Sequence, residues 1–168
     1  MLTVEEAKEK ILEGAEVASD VEEVVTLYAP GRILAEDIVS QIQVPPMDNS
    51  QMDGYAVRAA ELVDGRRVFS VSQKIFAGHV GTKLENGTCA RIFTGAPIPE
   101  GADAVIPQEE AVELEDGTVE FKNAPKAGDW IRRAGCDIDI GDTVLRKGDR
   151  LTPPALGVAA SIGRATVK

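Results

Sequence analysis

VPPMDNSQMDGYAVRAAELV, residues 44–63, decides how the rest of the chain is divided. Pro45 and Pro46 stop whatever precedes them, since proline has no N–H to donate and restricts the residue before it. Two acidic-polar clusters follow, Asp48-Asn49-Ser50 and Met52-Asp53-Gly54, and then an apolar, strand-like Tyr55-Ala56-Val57. A loop with carboxylates, an amide and a hydroxyl, fixed between Pro and Gly and leading into a regular element, suits a reactive site that holds Mg²⁺ or orients a polar substrate. The same residue types are also the usual turn formers, because Asx and Ser side chains bond their own backbone and Gly tolerates positive φ. The residues alone leave both readings open.

Outward from this stretch the chain changes character twice. On its N-terminal side, Thr3-Val4-Glu5-Glu6 fits a capping box, and Val4, Ala7, Ile11 and Leu12 make a helical apolar stripe up to a stop at Gly14. Glu22–Tyr28 reads as a strand, Arg32–Ala35 as a short helix after Ala29-Pro30-Gly31, and Ile38–Val44 as extended. From Arg67 on the pattern is short strands between turns: Arg67–Ser72, Cys89–Phe93, Ala104–Pro107, Ala111–Glu115 and Thr118–Phe121, with Asp116-Gly117 as a hairpin turn. Residues 138–151 read as another short β segment. The end returns to helix, with Thr152 as N-cap, Pro153 at the first helical position and Gly163 as the stop. Helix at both ends and β in the middle predicts an α+β chain with an insertion: a discontinuous first domain, 1–43 plus 138–168, and an inserted β-rich domain, 44–137.

Composition narrows the functions. The chain has 168 residues, 43% hydrophobic and 27% charged, ordinary for a globular protein with a real core. Aromatics are 4%, so that core must be mostly Val, Ile, Leu and Ala. The net charge of −10 argues against nucleic acid and anionic membrane surfaces, while leaving room for a small anion at a local basic cluster. Cys89 and Cys136 form no CxxC and the lone His79 has no ligand pattern, which disfavours zinc and assigns His79 no role. The start has no leader pattern and no apolar run approaches about 20 residues, so a cytoplasmic protein with reduced thiols is expected.

Two further segments carry candidate chemistry. In Arg91-Ile92-Phe93-Thr94-Gly95-Ala96-Pro97-Ile98-Pro99-Glu100-Gly101 a strand ends in Thr-Gly, and the Thr94 hydroxyl with the Gly95 N–H would suit an anion, although Thr-Gly there is also a common turn. In Gly128-Asp129-Trp130-Ile131-Arg132-Arg133-Ala134-Gly135-Cys136-Asp137-Ile138 the Arg132-Arg133 pair is where an anion such as phosphate would land in so acidic a chain, or else an ordinary solvated face. Asp137 and Asp139 would share one face if the segment were a strand. Ser50 and Asp48 are second-tier candidates beside Asp53, with turn capping as their other reading.

Together the three segments resemble the MoeA/gephyrin-type molybdopterin molybdenumtransferases. The family's xPxxDNSxMDGYAVR reads here from Pro46 to Arg58, its RIxTGAxxPxGADAVV from Arg91 to Ile106, and its xxNxRxxGEDI over Gly128–Ile138, with Trp130 before Ile131-Arg132 and Cys136 where Glu is typical. The resemblance implies an enzyme of molybdenum cofactor biosynthesis that inserts molybdate into adenylylated molybdopterin with Mg²⁺, acting as a homodimer. It implies a discontinuous α/β first domain with an inserted, barrel-like β-rich second domain. By the matching positions it points to Asp53, Thr94 and Asp137 as catalytic. Ser50, Arg132 and Arg133 are the substrate-binding candidates, and the metal ligands stay unassigned. Cys136 puts the role of the missing carboxylate in question and, lacking a His partner, is itself expected to be a bystander. Family members continue into a pterin-binding α/β domain with Thr-Gly-Asp-Glu, absent here, so the chain is expected to be a catalytically incomplete fragment. A non-catalytic dimerisation or interaction module on the same fold is the alternative.

Overall fold

The computed structural model describes residues 2–16 and 19–168. In chain order its elements are α1 (Val4–Glu13), β1 (Val24–Val25), β2 (Ile38–Val39), β3 (Asn49–Ser50), β4 (Gly54–Val57), α2 (Ala59–Val63), β5 (Val68–Ile75), β6 (Thr88–Ile92), β7 (Ala104–Pro107), β8 (Ala111–Glu113), β9 (Thr118–Phe121), β10 (Ile131–Arg132), β11 (Thr143–Leu145), α3 (Pro153–Ser161) and β12 (Thr166–Val167). They fall into two compact units, Met1–Asp37 with Arg146–Lys168, and Ile38–Leu145.

The first unit is discontinuous. In α1, Thr3 accepts from the Glu6 N–H while the Glu6 carboxylate accepts from the Thr3 N–H, so the expected capping box is formed. Most of the apolar stripe is nevertheless uncovered among the described residues: Val4, Ile11 and Leu12 are 80%, 73% and 60% exposed. The core is built from Leu34, Leu151, Leu156, Ala159, Ile162 and Val167, with β1 antiparallel to β12. Thr152 caps α3 and Pro153 occupies its first turn, as the sequence predicts. Two local expectations are corrected. Arg32–Ala35 is extended rather than helical, because Leu34 and Leu151 both enter the core and their strands bond: Leu34 N–H to Asp149 O at 2.9 Å, Leu151 N–H to Arg32 O at 2.8 Å. The strand expected at Glu22–Tyr28 stops at Val25, where Thr26 begins a 3₁₀ turn and its hydroxyl donates to Arg164 O at 2.6 Å.

The second unit carries a six-stranded mixed sheet, β7-β4-β6-β5-β9-β8, curled into a half-barrel. Only β5–β6 is parallel. Alternation splits its side chains between two cores. Tyr55, Val57, Phe69, Cys89, Ile106 and Phe121 pack on one face, and Ala56, Ile75, Ala90, Ile92 and Val105 on the other. All of β4 and β7 is buried, which is why both read as unbroken apolar runs. Gly117, at φ 79°, closes the expected β8–β9 hairpin in a conformation that a Cβ disfavours. β5 outruns its expected end at Ser72, since a register shift between Val71 and Gln73 lets the strand continue to Ile75. The helix α2 is a surprise. No side chain of Arg58 caps it, and instead Asp103 Oδ1 accepts the Ala59 N–H from another part of the chain at 2.7 Å.

The contact division runs six residues before and eight residues after the 44–137 insert expected from sequence, at 38 and 145. The cause is β2, which pairs with β11. The 138–151 segment therefore serves both units: β11 belongs to the second, while Arg150 bridges to Ile33 in the first.

Candidate functional site

Asn49–Ser50 is the strip of backbone around which the three sequence-marked segments gather in the second unit. On one side β3 pairs with β10, Ser50 opposite Ile131 and Asn49 opposite Arg132. On the other, the Ser50 N–H donates to Ala96 O at 2.9 Å and Gly95 donates to Ser50 O at 2.8 Å. Residues 48–54, 94–98 and 129–137 are thus neighbours in space although as much as 89 residues apart in sequence (137 − 48).

At the end of β4, Asp53 Oδ1 accepts both the Thr94 N–H and the Thr94 hydroxyl, each at 2.8 Å. Those two bonds, backbone first, with the Arg91 charge as a smaller contribution, hold the Asp53 carboxyl below the usual carboxylate range. It is therefore ionised at neutral pH; Asp53 is half-buried and Thr94 is exposed to solvent. Asp53 and Thr94 are one constellation.

Arg91 stands beside them. Its guanidinium lies 5.2 Å from the Tyr55 ring centroid and 4.6 Å from that of Phe93, and it donates to Gly54 O at 2.8 Å and Gln108 Oε1 at 2.6 Å. Aromatic faces and fixed acceptors hold this cation in one pose. Sequence reading gave Arg91 no role. The available signal was period two: Cys89, Arg91 and Phe93 share a sheet face, which puts a charge between an aromatic and a core thiol. Tyr55 lies directly opposite Arg91 and donates its hydroxyl to Glu113 at 2.7 Å. Burial, then that carboxylate, push the Tyr55 hydroxyl up to about 12, so it remains a donor.

The other predicted residues are placed differently. Ser50 is fully buried, its hydroxyl donating to Met52 O at 2.6 Å and accepting from the Met52 N–H, so its side chain is committed to the turn. Arg132 pairs with Asp137 and Arg133 with Asp48, so each guanidinium carries an aspartate partner. Asp137 sits in a turn, not in the strand that would have put it on one face with Asp139, its N–H donating to Val44 O at 3.0 Å, and Arg132 holds its carboxyl below the usual range. Cys136 is exposed and Cys89 buried; both are free thiols, and burial pushes Cys89 up to about 12. Trp130 adopts φ 56°, a conformation that costs a non-glycine residue about 1–2 kcal/mol. Its carbonyl accepts the Gln51 N–H at 3.0 Å, so the strain sits where the third segment meets the first.

Asp48 ties the first segment to the third: Oδ1 accepts the Ala134 N–H at 2.8 Å and Oδ2 meets Arg133. The Ala134 N–H, then Arg133, against opposing burial, lower the Asp48 carboxyl from 3.8. A lowered folded-state value stabilises above the unfolded value and is lost as pH falls through the folded one. Asp48→Asn keeps the Ala134 acceptor and removes the charge. Urea unfolding at pH 7 should then show a deficit of roughly 0.5–1 kcal/mol. The deficit should shrink as pH falls below 3.8. A deficit unchanged by acid would mean that the ion pair is not its source.

The chain is an α+β protein whose second unit is a half-barrel with loops that gather a carboxylate, a hydroxyl and paired arginines. The sequence matches the family described as MoeA N-terminal region (domain I and II) over residues 2–163, and the chain belongs to that family. It is 46% identical over 169 residues to a molybdopterin molybdenumtransferase of Haemophilus influenzae, covering 100% of this chain and 42% of that one. Molybdopterin molybdenumtransferase 2 of Mycobacterium tuberculosis is 40% identical over 145 residues, covering 82% of this chain and 35% of that one. Among solved structures, the molybdopterin biosynthesis MoeA protein of Pyrococcus horikoshii OT3 superposes with a TM-score of 0.89 at 33% identity, over 97% of this chain and 44% of that one. The chain thus spans about two fifths of the length of these relatives. The family resemblance and the fold class read from the motifs are borne out.

Proposed function

We propose that this chain is the N-terminal part of a molybdopterin molybdenumtransferase, contributing the Asp53–Thr94 pair to a site that inserts molybdate into adenylylated molybdopterin. The observation that carries the reading is the double hydrogen bond from Thr94 to one oxygen of a half-buried, ionised Asp53. Both bonds fall on Oδ1, which leaves Oδ2 for another partner. An ionised carboxylate in a chain of net −10 repels molybdate and phosphate unless a cation lies between them. Mg²⁺ fits that need, since it takes one or two carboxylates and completes its shell with substrate phosphates and water. Asp53 Oδ2 would hold it, and the ion would neutralise charge at the phosphoryl group.

The same reading makes the protein a cytoplasmic homodimer. Two free thiols suit a reducing compartment, and among the described residues no helix is long and apolar enough to cross a membrane. The uncovered stripe of α1, and an apolar groove of about 720 Å³ between Leu27, Pro30, Leu156 and Ala160, supply surface for a second copy. This apolar surface also favours the second reading, a non-catalytic interaction module.

The two separate in one experiment. The gene carrying this sequence is placed in a bacterial strain that lacks molybdopterin molybdenumtransferase, and molybdoenzyme activity is read. Asp53→Asn keeps the acceptor for Thr94 and removes the charge, so insertion should fall about a hundredfold while the dimer persists. Unchanged insertion would leave only the module.

A further inference from the structure

The sheet row that contains Asp53 ends in two aromatic rings that the reading above does not use. Gly54 pairs with Ile92, and the Phe93 N–H donates to Ile75 O at 3.2 Å, so the next residues outward are Asp53, Phe93 and Phe76. The Phe76 and Phe93 rings are stacked, with centroids 4.7 Å apart and planes within 7°. Arg91 lies against Phe93. Phe76 is 52% exposed. The turn that carries it, closed by the His79 N–H to Phe76 O at 3.0 Å, also brings Ala77 beside Gly95: a Cβ on Gly95 would stand 3.8 Å from that of Ala77. The aromatic pair therefore borders the Thr94–Gly95 loop directly.

A half-exposed phenylalanine stacked nearly parallel on its neighbour keeps apolar surface in water, which costs stability unless something covers it. A flat ring is the shape such a stack accepts, because stacking on a π-face extends the same geometry and tolerates different heterocycles. Covering by an aliphatic side chain would not require parallel rings. Arg91, held against the other ring of the pair, adds a fixed positive charge beside the stack.

We propose that Phe76 and Phe93 form a stacking platform for a planar heteroaromatic ring of a phosphorylated substrate, whose phosphate arm lies along Thr94–Gly95 toward Arg91. This rests on the function proposed above, in which the substrate carries two such rings, a nucleobase and a pterin.

The test titrates the 168-residue chain with AMP, with a pterin monophosphate and with inorganic phosphate, following the phenylalanine ring signals by NMR. Upfield ring-current shifts at Phe76 with AMP alone identify the nucleobase as the occupant, and with the pterin alone the pterin. Phe76→Leu keeps apolar bulk but removes the π-face, and should weaken binding about tenfold, whereas Phe76→Tyr retains it. An unchanged thermal transition of Phe76→Leu keeps that loss from being read as unfolding. Shifts with neither ring compound, equal shifts with inorganic phosphate, or equal affinity in Phe76→Leu each overturn the platform. The Asp53→Asn insertion assay reports separately: lost insertion without ring binding removes the platform and leaves the function standing.

Discussion

Gly54→Ala is expected to cost the second unit about 3 kcal/mol or more and to disrupt its sheet at β4–β7. The glycine is not there for an unusual φ. An ideal Cβ built at Gly54 would stand 2.1 Å from the Ile106 carbonyl oxygen, 2.9 Å from its carbon and 3.1 Å from Pro107 Cα. All three are backbone atoms, so no rotamer change relieves the clash, and relief requires β7 to move away from β4. β7 is buried along its whole length and carries Val105 and Ile106 into opposite cores, so moving it opens both. The measurement is urea unfolding, with amide hydrogen exchange at Gln108, whose N–H donates to Asp53 O at 3.0 Å. A loss below about 1 kcal/mol, with Gln108 still protected, would show that the strands absorb the methyl and that close approach is not why the motif holds Gly. Because Asp53 precedes Gly54 and its carbonyl accepts from the Gln108 N–H, moving β7 away would break the bond that anchors the backbone of the acid. The motif's acid and its glycine are thus coupled through one strand position.

How much of this was legible follows from which interactions are local. α1 and α3 were readable because a capping box and a Thr-Pro start act within four residues. β4, β7 and β9 were readable as apolar or alternating runs between turn residues. The Asp53–Thr94 pair was legible only as two separate motif positions, since their contact depends on β4 and β6 being neighbours 41 residues apart. α2 was missed because its N-terminal acceptor, Asp103, comes from far along the chain and five residues are too few for a period to show. Arg32–Ala35 was misread because local propensity lost to strand pairing with Asp149–Leu151. The unit boundaries shifted because β2 and β11 are each too short to announce a pairing made more than 100 residues apart.

Phe121→Ala is expected to destabilise the second unit by about 3–5 kcal/mol. The chain has four phenylalanines, and the fold splits them evenly. Phe69 and Phe121 are 1% exposed, and Phe76 and Phe93 lie at the sheet end. Phe121 is the centre of the buried pair: its ring centroid is 5.5 Å from Phe69 and 5.6 Å from Tyr55, the latter edge-on. Removing it deletes two aromatic contacts worth about 0.5–1.5 kcal/mol each beyond the area they bury. The cavity would lie between strands on both sides of it, because β9 pairs with β5 and β8, so collapse would need the sheet itself to move. The consequence reaches the site through Tyr55, which is held by Phe121 on one side and braces Arg91 on the other. Phe121→Ala should therefore also weaken ring binding at the Phe76 platform, whereas Phe76→Leu should weaken that binding alone. Chemical denaturation of the two variants side by side is the measurement. Equal and small losses in both would mean that Phe121 is no more anchored than a surface ring, and that the core of this face rests on its aliphatic residues instead.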